Sequence, residues 1–189
     1  MNIKQEKPKA IDAANFFIKL ANDAGEEGMT NLRVNKLLYF AQAWSLARLG
    51  KELFAEDFQA WSLGPVLPEI YRTFQKYGKN VIPEVYGMYS EKVFSSEQVE
   101  LLLDVAREYR KFSTTHLVDI THIPEGPWGN VYAEGANKVI PKQDIKDYFL
   151  KQQPLKRFEL DFSQFGRMGH RDSQGHLVLS KEEDAEWGE

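Results

Sequence analysis

The sequence predicts a mainly α-helical, compact domain with a small β element and an irregular C-terminal tail. Apolar residues recur at helical spacing in several segments, and glycines or capping residues bound those segments. Prolines stand where helices can begin, because a helix leaves its first N–H groups unpaired. Only residues 54–61, FAEDFQAW, alternate weakly with β-favouring Phe and Trp, which predicts a short strand or hairpin there.

The elements follow in order. Residues 10–24 carry Ala14, Phe17, Ile18 and Ala21 on one helical face, and Gly25 is the stop. A second helix begins after Thr30, a good N-cap, carries Leu37, Leu38, Ala41 and Trp44, and stops at Gly50. Its apolar residues spread round the helix, which places it near the centre of the core. Pro68 opens a helix to Lys76, closed by Gly78. Residues 79–94 read as an irregular connector. Ser95 and Gln98 form a capping box for a helix whose inward stripe is Val99, Leu102, Ala106 and Tyr109, widened by Leu103 and Val105. Residues 113–122 form a short helix, Pro127 starts another that ends before Gly135, and Pro141 starts the last, with Ile145, Tyr148 and Phe149 inward.

After Pro154 the composition mixes charges, glycines and single aromatics. We divide the chain into a domain at 1–153 and an extension at 154–189. Phe158, Leu160 and Phe162 alternate, as do Leu177 and Leu179, so the extension reads as a loose hairpin or a partner-ordered tail.

Charge excludes some functions. The net charge is −4, and the last nine residues hold five acids and one lysine. The preceding 180 residues are therefore balanced, which disfavours nucleic acid as a partner. No apolar run approaches the ~20 residues of a membrane span. No secretory signal opens the chain, and there are no cysteines. Disulfides, thiol nucleophiles and thiolate metal sites are excluded, and the cytoplasm is the default location.

Candidate chemistry is sparse. Ser62 in WSLGPVLPEIY has Gly64 two residues after it but Ala60 two before, so the strand–turn–helix nucleophile pattern is incomplete. A shaped turn is the simpler reading, since Gly64 frees the backbone and Pro65 fixes the next φ. Asp119 and His122 share a helix face, but the HExxH metal pattern is absent, and a histidine bonded to backbone near a helix end suffices. His116, His170 and His176 complete no compact site. Phosphate-cradling glycine patterns are absent. No catalytic residue, metal site or cofactor is assigned. Tyr39, Trp44, Trp61, Tyr71, Tyr77, Trp128 and Tyr132 lie near turns or on helix faces; most belong to a core, and such residues also anchor interfaces. The balance favours a binding module over an enzyme.

Two stretches are more specific: NKLLYFAQAWSLARLGKELFAEDFQAWSLGPVLPEIYRTFQKYG at 35–78 and LVDITHIPEGPWGNVYAEGANKVIPKQDIKDYF at 117–149. Together they resemble the Panacea-domain antitoxin family, which includes SocA-like and phage-associated GepA-like proteins, over roughly residues 10–152. The resemblance implies an antitoxin that binds and blocks a co-encoded toxin, in a toxin–antitoxin or phage-defence locus, often a prophage. SocA-like members also act as adaptors that hand the toxin to an AAA+ protease, and that is the first alternative. A hydrolase acting on a toxin product is the second, and a transcriptional repressor the third. Some members carry an N-terminal DNA-binding domain; about ten residues precede the first helix here, so none is expected. Trp61, Gly64, Pro65, Val66, Pro68 and Tyr71 look like one family signature, and Thr121, His122, Pro127 and Trp128 like a second. Each holds the scaffold or touches the partner. In the tail, Phe158, Phe162, Phe165 and Trp187 are expected contacts. Sequence does not set the oligomeric state.

Overall fold

The computed structural model describes residues 7–25, 28–156, 169–171 and 177–179. The chain falls into two compact units, Met1–Lys156 and Arg157–Glu189. The first is helical, with α1 at Ala10–Ala24, α2 at Asn31–Trp44, α3 at Pro68–Phe74, α4 at Ser96–Tyr109, α5 at Thr114–Asp119 and α6 at Lys142–Phe149. A two-stranded antiparallel hairpin, β1 at Gln59–Trp61 and β2 at Gly64–Val66, lies between α2 and α3. The second unit contains a hairpin of β3 at Gly169–Arg171 and β4 at Leu177–Leu179.

Helix α2 is the axle of the first unit. Thr30 caps it through the Arg33 N–H, and it packs against α1, α3, α4, α5 and α6. A helix apolar on nearly every side has no face for water, so it becomes the centre of the core. A π-helical turn at Ser45–Leu49 continues it to Gly50, which ends the run in the left-handed region at φ 69°. Aromatic rings close the packing. Phe40 stacks on Tyr109 with centroids 3.9 Å apart, and Phe149 meets Tyr39, Phe40 and Trp44 edge-on. The Trp44 indole donates to the Tyr109 hydroxyl at 3.0 Å, so the polar ends of two buried rings satisfy each other.

Because α2 is surrounded, its polar side chains cannot reach water and must find partners inside. They find them in loops. The Gln42 amide donates to Phe54 O at 2.9 Å and accepts from the Leu53 and Phe54 N–H groups. Ser45 donates to Lys51 O at 2.9 Å. The loop after α2 is thus stapled to the helix before the chain reaches β1.

Three expectations need correcting. Strand structure starts at Gln59; residues 54–58 are irregular, with their backbone tied to separate partners, Phe54 to Gln42, Ala55 O to Lys142 and Phe58 O to the Ile140 N–H, while Phe54 and Phe58 fill the core. No helix forms after Pro127. Residues 124–136 are successive turns, and the chain passes so close to itself at Gly129 that an added Cβ would lie 2.2 Å from Pro124 O. The inward stripe of α4 is rotated: Leu101, Leu102, Val105 and Tyr109 are buried, Val99 and Ala106 are half-buried, and Leu103 is exposed. The rotation follows Asp104, which is buried and paired to Arg48 at 2.5 Å and Arg107 at 3.2 Å.

The remaining elements match their sequence signals. Gly25 ends α1 at φ 62°, Ser95 and Gln98 close a capping box, and Ser113 caps α5. In the second unit Leu177–Leu179 is a strand, but its partner is Gly169–Arg171; the run 158–162 lies outside the described residues. Among the described residues no helix is long and apolar enough to cross a membrane.

Candidate functional site

The β1–β2 hairpin carries the first signature, and three side chains on one side of α2 hold it. Asn31 donates to Tyr71 O at 2.9 Å. Asn35 accepts from the Leu67 N–H at 2.9 Å and donates back to Asn31 Oδ1 and O, each at 3.0 Å. Lys36 Nζ donates to Pro65 O at 3.2 Å. A proline offers no N–H, so its carbonyl is the only backbone group through which that position can be tied down.

Lys36 is 0% exposed. A lysine this deep is normally paired with an acid, yet among the described residues no carboxylate bonds it. Burial alone pushes its amine down to about 7, because the charged form loses its water without gaining a counter-ion. Gly64 leaves room for it. The residue sits at φ 95°, and a Cβ there would lie 2.5 Å from Lys36 Nζ and 2.8 Å from Thr121 Oγ1. Only glycine permits both that backbone angle and that approach.

The second signature closes over the same point. Thr121 is 5% exposed, and its hydroxyl shares its proton between Val118 O at 2.8 Å and Leu117 O at 3.1 Å, ending α5. The Trp128 indole donates to Trp61 O at 2.9 Å, which joins the two signatures directly. Trp128 is sandwiched, with His122 edge-on at 4.3 Å and Tyr132 stacked at 4.4 Å. The His122 ring is pushed below its ordinary value by burial and by Lys36, with the Ser62 backbone and Asp119 pulling the other way. Its Nε2 is buried with no hydrogen-bond partner among the described residues. Pro127 is buried.

What remains at the surface is the hairpin tip. Ser62 and Leu63 are exposed, Leu63 by 54%. The tip borders a mostly apolar groove of about 600 Å³ formed with Trp61, Val66 and Tyr71. Trp61 and Tyr71 meet edge-on at 5.0 Å, and Pro68 starts α3 beneath them. All ten signature residues therefore fall in one region, and all are buried or half-buried. Phe158, Phe162, Phe165 and Trp187 lie outside the described residues. His116 is exposed on α5 and leans on Phe112, away from the signatures' hydrogen bonds. The Ser62 hydroxyl bonds neither histidine among the described residues.

Asn31, Asn35 and Lys36 were the residues that sequence reasoning did not single out. The sequence carries only a partial signal: apolar residues spread round α2 predict a central helix, but its polar residues are seen to be inside, and so in need of partners, only once the surrounding elements are in place.

Comparison with known proteins adds the family. Residues 34–129 match the model of the antitoxin SocA-like Panacea domain. The chain is 30% identical over 144 residues to Antitoxin SocA of Caulobacter vibrioides (strain NA1000 / CB15N), covering 69% of this chain and 74% of that protein. No solved structure matches it. The matched segment contains Asn35, Lys36 and both signatures, so the chain belongs to the SocA-like, Panacea-domain antitoxin family.

Proposed function

We propose that this chain is an antitoxin that neutralises a co-encoded protein toxin by direct, stoichiometric binding, without making or breaking a bond. One observation carries the reading: an exposed aliphatic tip, Ser62–Leu63, rides on a hairpin held by internal bonds from Lys36, Asn35 and Trp128. An exposed leucine on a fixed turn, beside an apolar groove, is costly to leave in water and ready to be covered. Because the hairpin is already ordered, little conformational entropy is lost when a partner covers it. The family match supplies the kind of partner, a toxin.

The reading is tested by co-expressing the tagged chain with the product of the neighbouring open reading frame. A complex that survives size-exclusion chromatography and disappears with Leu63→Asp supports it. Rescue from toxicity with no recoverable complex contradicts it.

A further inference from the structure

Trp61 is a wall with a groove on each side. Its indole is oriented by a bond to Gln59 Oε1 at 3.0 Å and by the Tyr71 ring. On one side lies the apolar groove beneath Leu63. On the other lies a second groove of about 540 Å³, floored by Leu67, Pro68 and Ile70 and bordered by Val139, which is 50% exposed.

The second groove differs in charge. Glu56, Asp57 and Glu69 line it against Arg72 alone. Asp57 lies 3.3 Å from Lys142, and Glu56 accepts from the Ala10 N–H at 2.9 Å. Glu69 is exposed and makes no side-chain bond among the described residues. With Asp57 partnered, Glu56 and Glu69 still outnumber Arg72, so this groove is negative, whereas the apolar groove carries Lys79 on its lining. Two exposed aliphatics, Leu63 and Val139, each line a groove that Trp61 also lines.

We propose that the two grooves form one docking surface astride Trp61, and that it receives a segment of the toxin bearing an apolar side chain next to lysine or arginine. This rests on the direct-binding reading above. The apolar side chain enters beneath Leu63, and the cation crosses Trp61 to Glu69 and Glu56. The Trp61 face adds attraction for a cation passing over it. Opposite charge at the groove's rim steers encounter and rejects acidic competitors.

The test uses the full chain, with the co-expressed neighbouring-gene product as probe, and measures Kd from about 50 mM to about 500 mM salt, a range over which exposed charge pairs become screened. Glu69→Lys breaks no side-chain bond among the described residues, but it puts a cation in the first turn of α3, so a small drop in melting temperature is expected and binding is compared where both proteins stay folded. It is expected to weaken binding roughly tenfold at low salt and to flatten the salt dependence. Leu63→Asp is expected to weaken binding at every salt concentration. A wild-type complex whose affinity and salt dependence are unmoved by Glu69→Lys overturns this proposal and leaves direct binding standing. Absence of any wild-type complex overturns both. A wild-type dimer in sedimentation that Glu69→Lys dissolves also overturns it, by naming a second copy as the occupant.

Discussion

Lys36 Nζ lies 3.2 Å from the Pro65 carbonyl oxygen, and among the described residues no carboxylate shares that amine. The central helix thus grips the signature loop through a buried amine that gains by shedding its proton, which gives stability a particular pH dependence. The folded amine is held at about 7, whereas the unfolded one keeps its proton to about 10.4. Between those values the unfolded state binds more protons, so stability rises with pH, by up to about 1.4 kcal/mol per unit. His122, lowered in the fold, adds a rise below its ordinary value. Tyr109, pushed up to about 12, and Tyr39, also raised, oppose it above about pH 10. Urea unfolding from pH 6.5 to 10 should show the increase, and Lys36→Met should flatten it. Equal slopes in the two proteins contradict the assignment.

Gly64→Ala should be severe for so small a change. It places a side chain at φ 95° and a methyl 2.5 Å from Lys36 Nζ. Backbone strain of about 1–3 kcal/mol adds to overpacking of similar size. A loss of about 2–6 kcal/mol in urea denaturation is expected. A loss below about 0.5 kcal/mol shows that the loop relaxes freely, against the account.

Trp128→Phe keeps a ring between His122 and Tyr132 but removes the donor to Trp61 O. The carbonyl is part-buried, so losing its partner should cost about 0.5–1.5 kcal/mol, the net worth of an ordinary hydrogen bond. Hydrogen exchange should then accelerate at Ser62 and Leu63 more than in α1, which has no bond to this junction. Uniform acceleration across the domain contradicts a local role.

Leu63→Asp should separate folding from binding. The side chain is exposed, so stability should change by no more than about 0.5 kcal/mol. Rescue of cells from the toxin should nevertheless fail. Retained rescue moves the contact elsewhere on the surface.

The helices were legible because each had local punctuation. Gly25, Gly50, Ser95 and Ser113 stop or cap as their chemistry requires. The phase of α4 was not, because Asp104 turns inward to meet Arg48 across the fold, and a pairing 56 residues apart leaves no mark in a local window. The same applies to Pro127, which suits a helix start by itself but sits where Trp128 must reach Trp61 O. At the site, the signature residues could be named from their order along the chain. What they rest on could not, since the roles of Asn35 and Lys36 exist only once α2 is surrounded. A lysine in NKLLYF reads as solvent-facing until every neighbouring face is seen to be covered.

The central claim is occupation of one protein by another, and titration tests it most directly. Purified chain is added in steps to a fixed amount of the neighbouring-gene toxin, and residual toxin activity is followed alongside the amount of complex. The account predicts that activity falls in proportion to complex formed and reaches its floor near equimolar protein. Full suppression at a small fraction of equimolar, with free toxin still present, contradicts it.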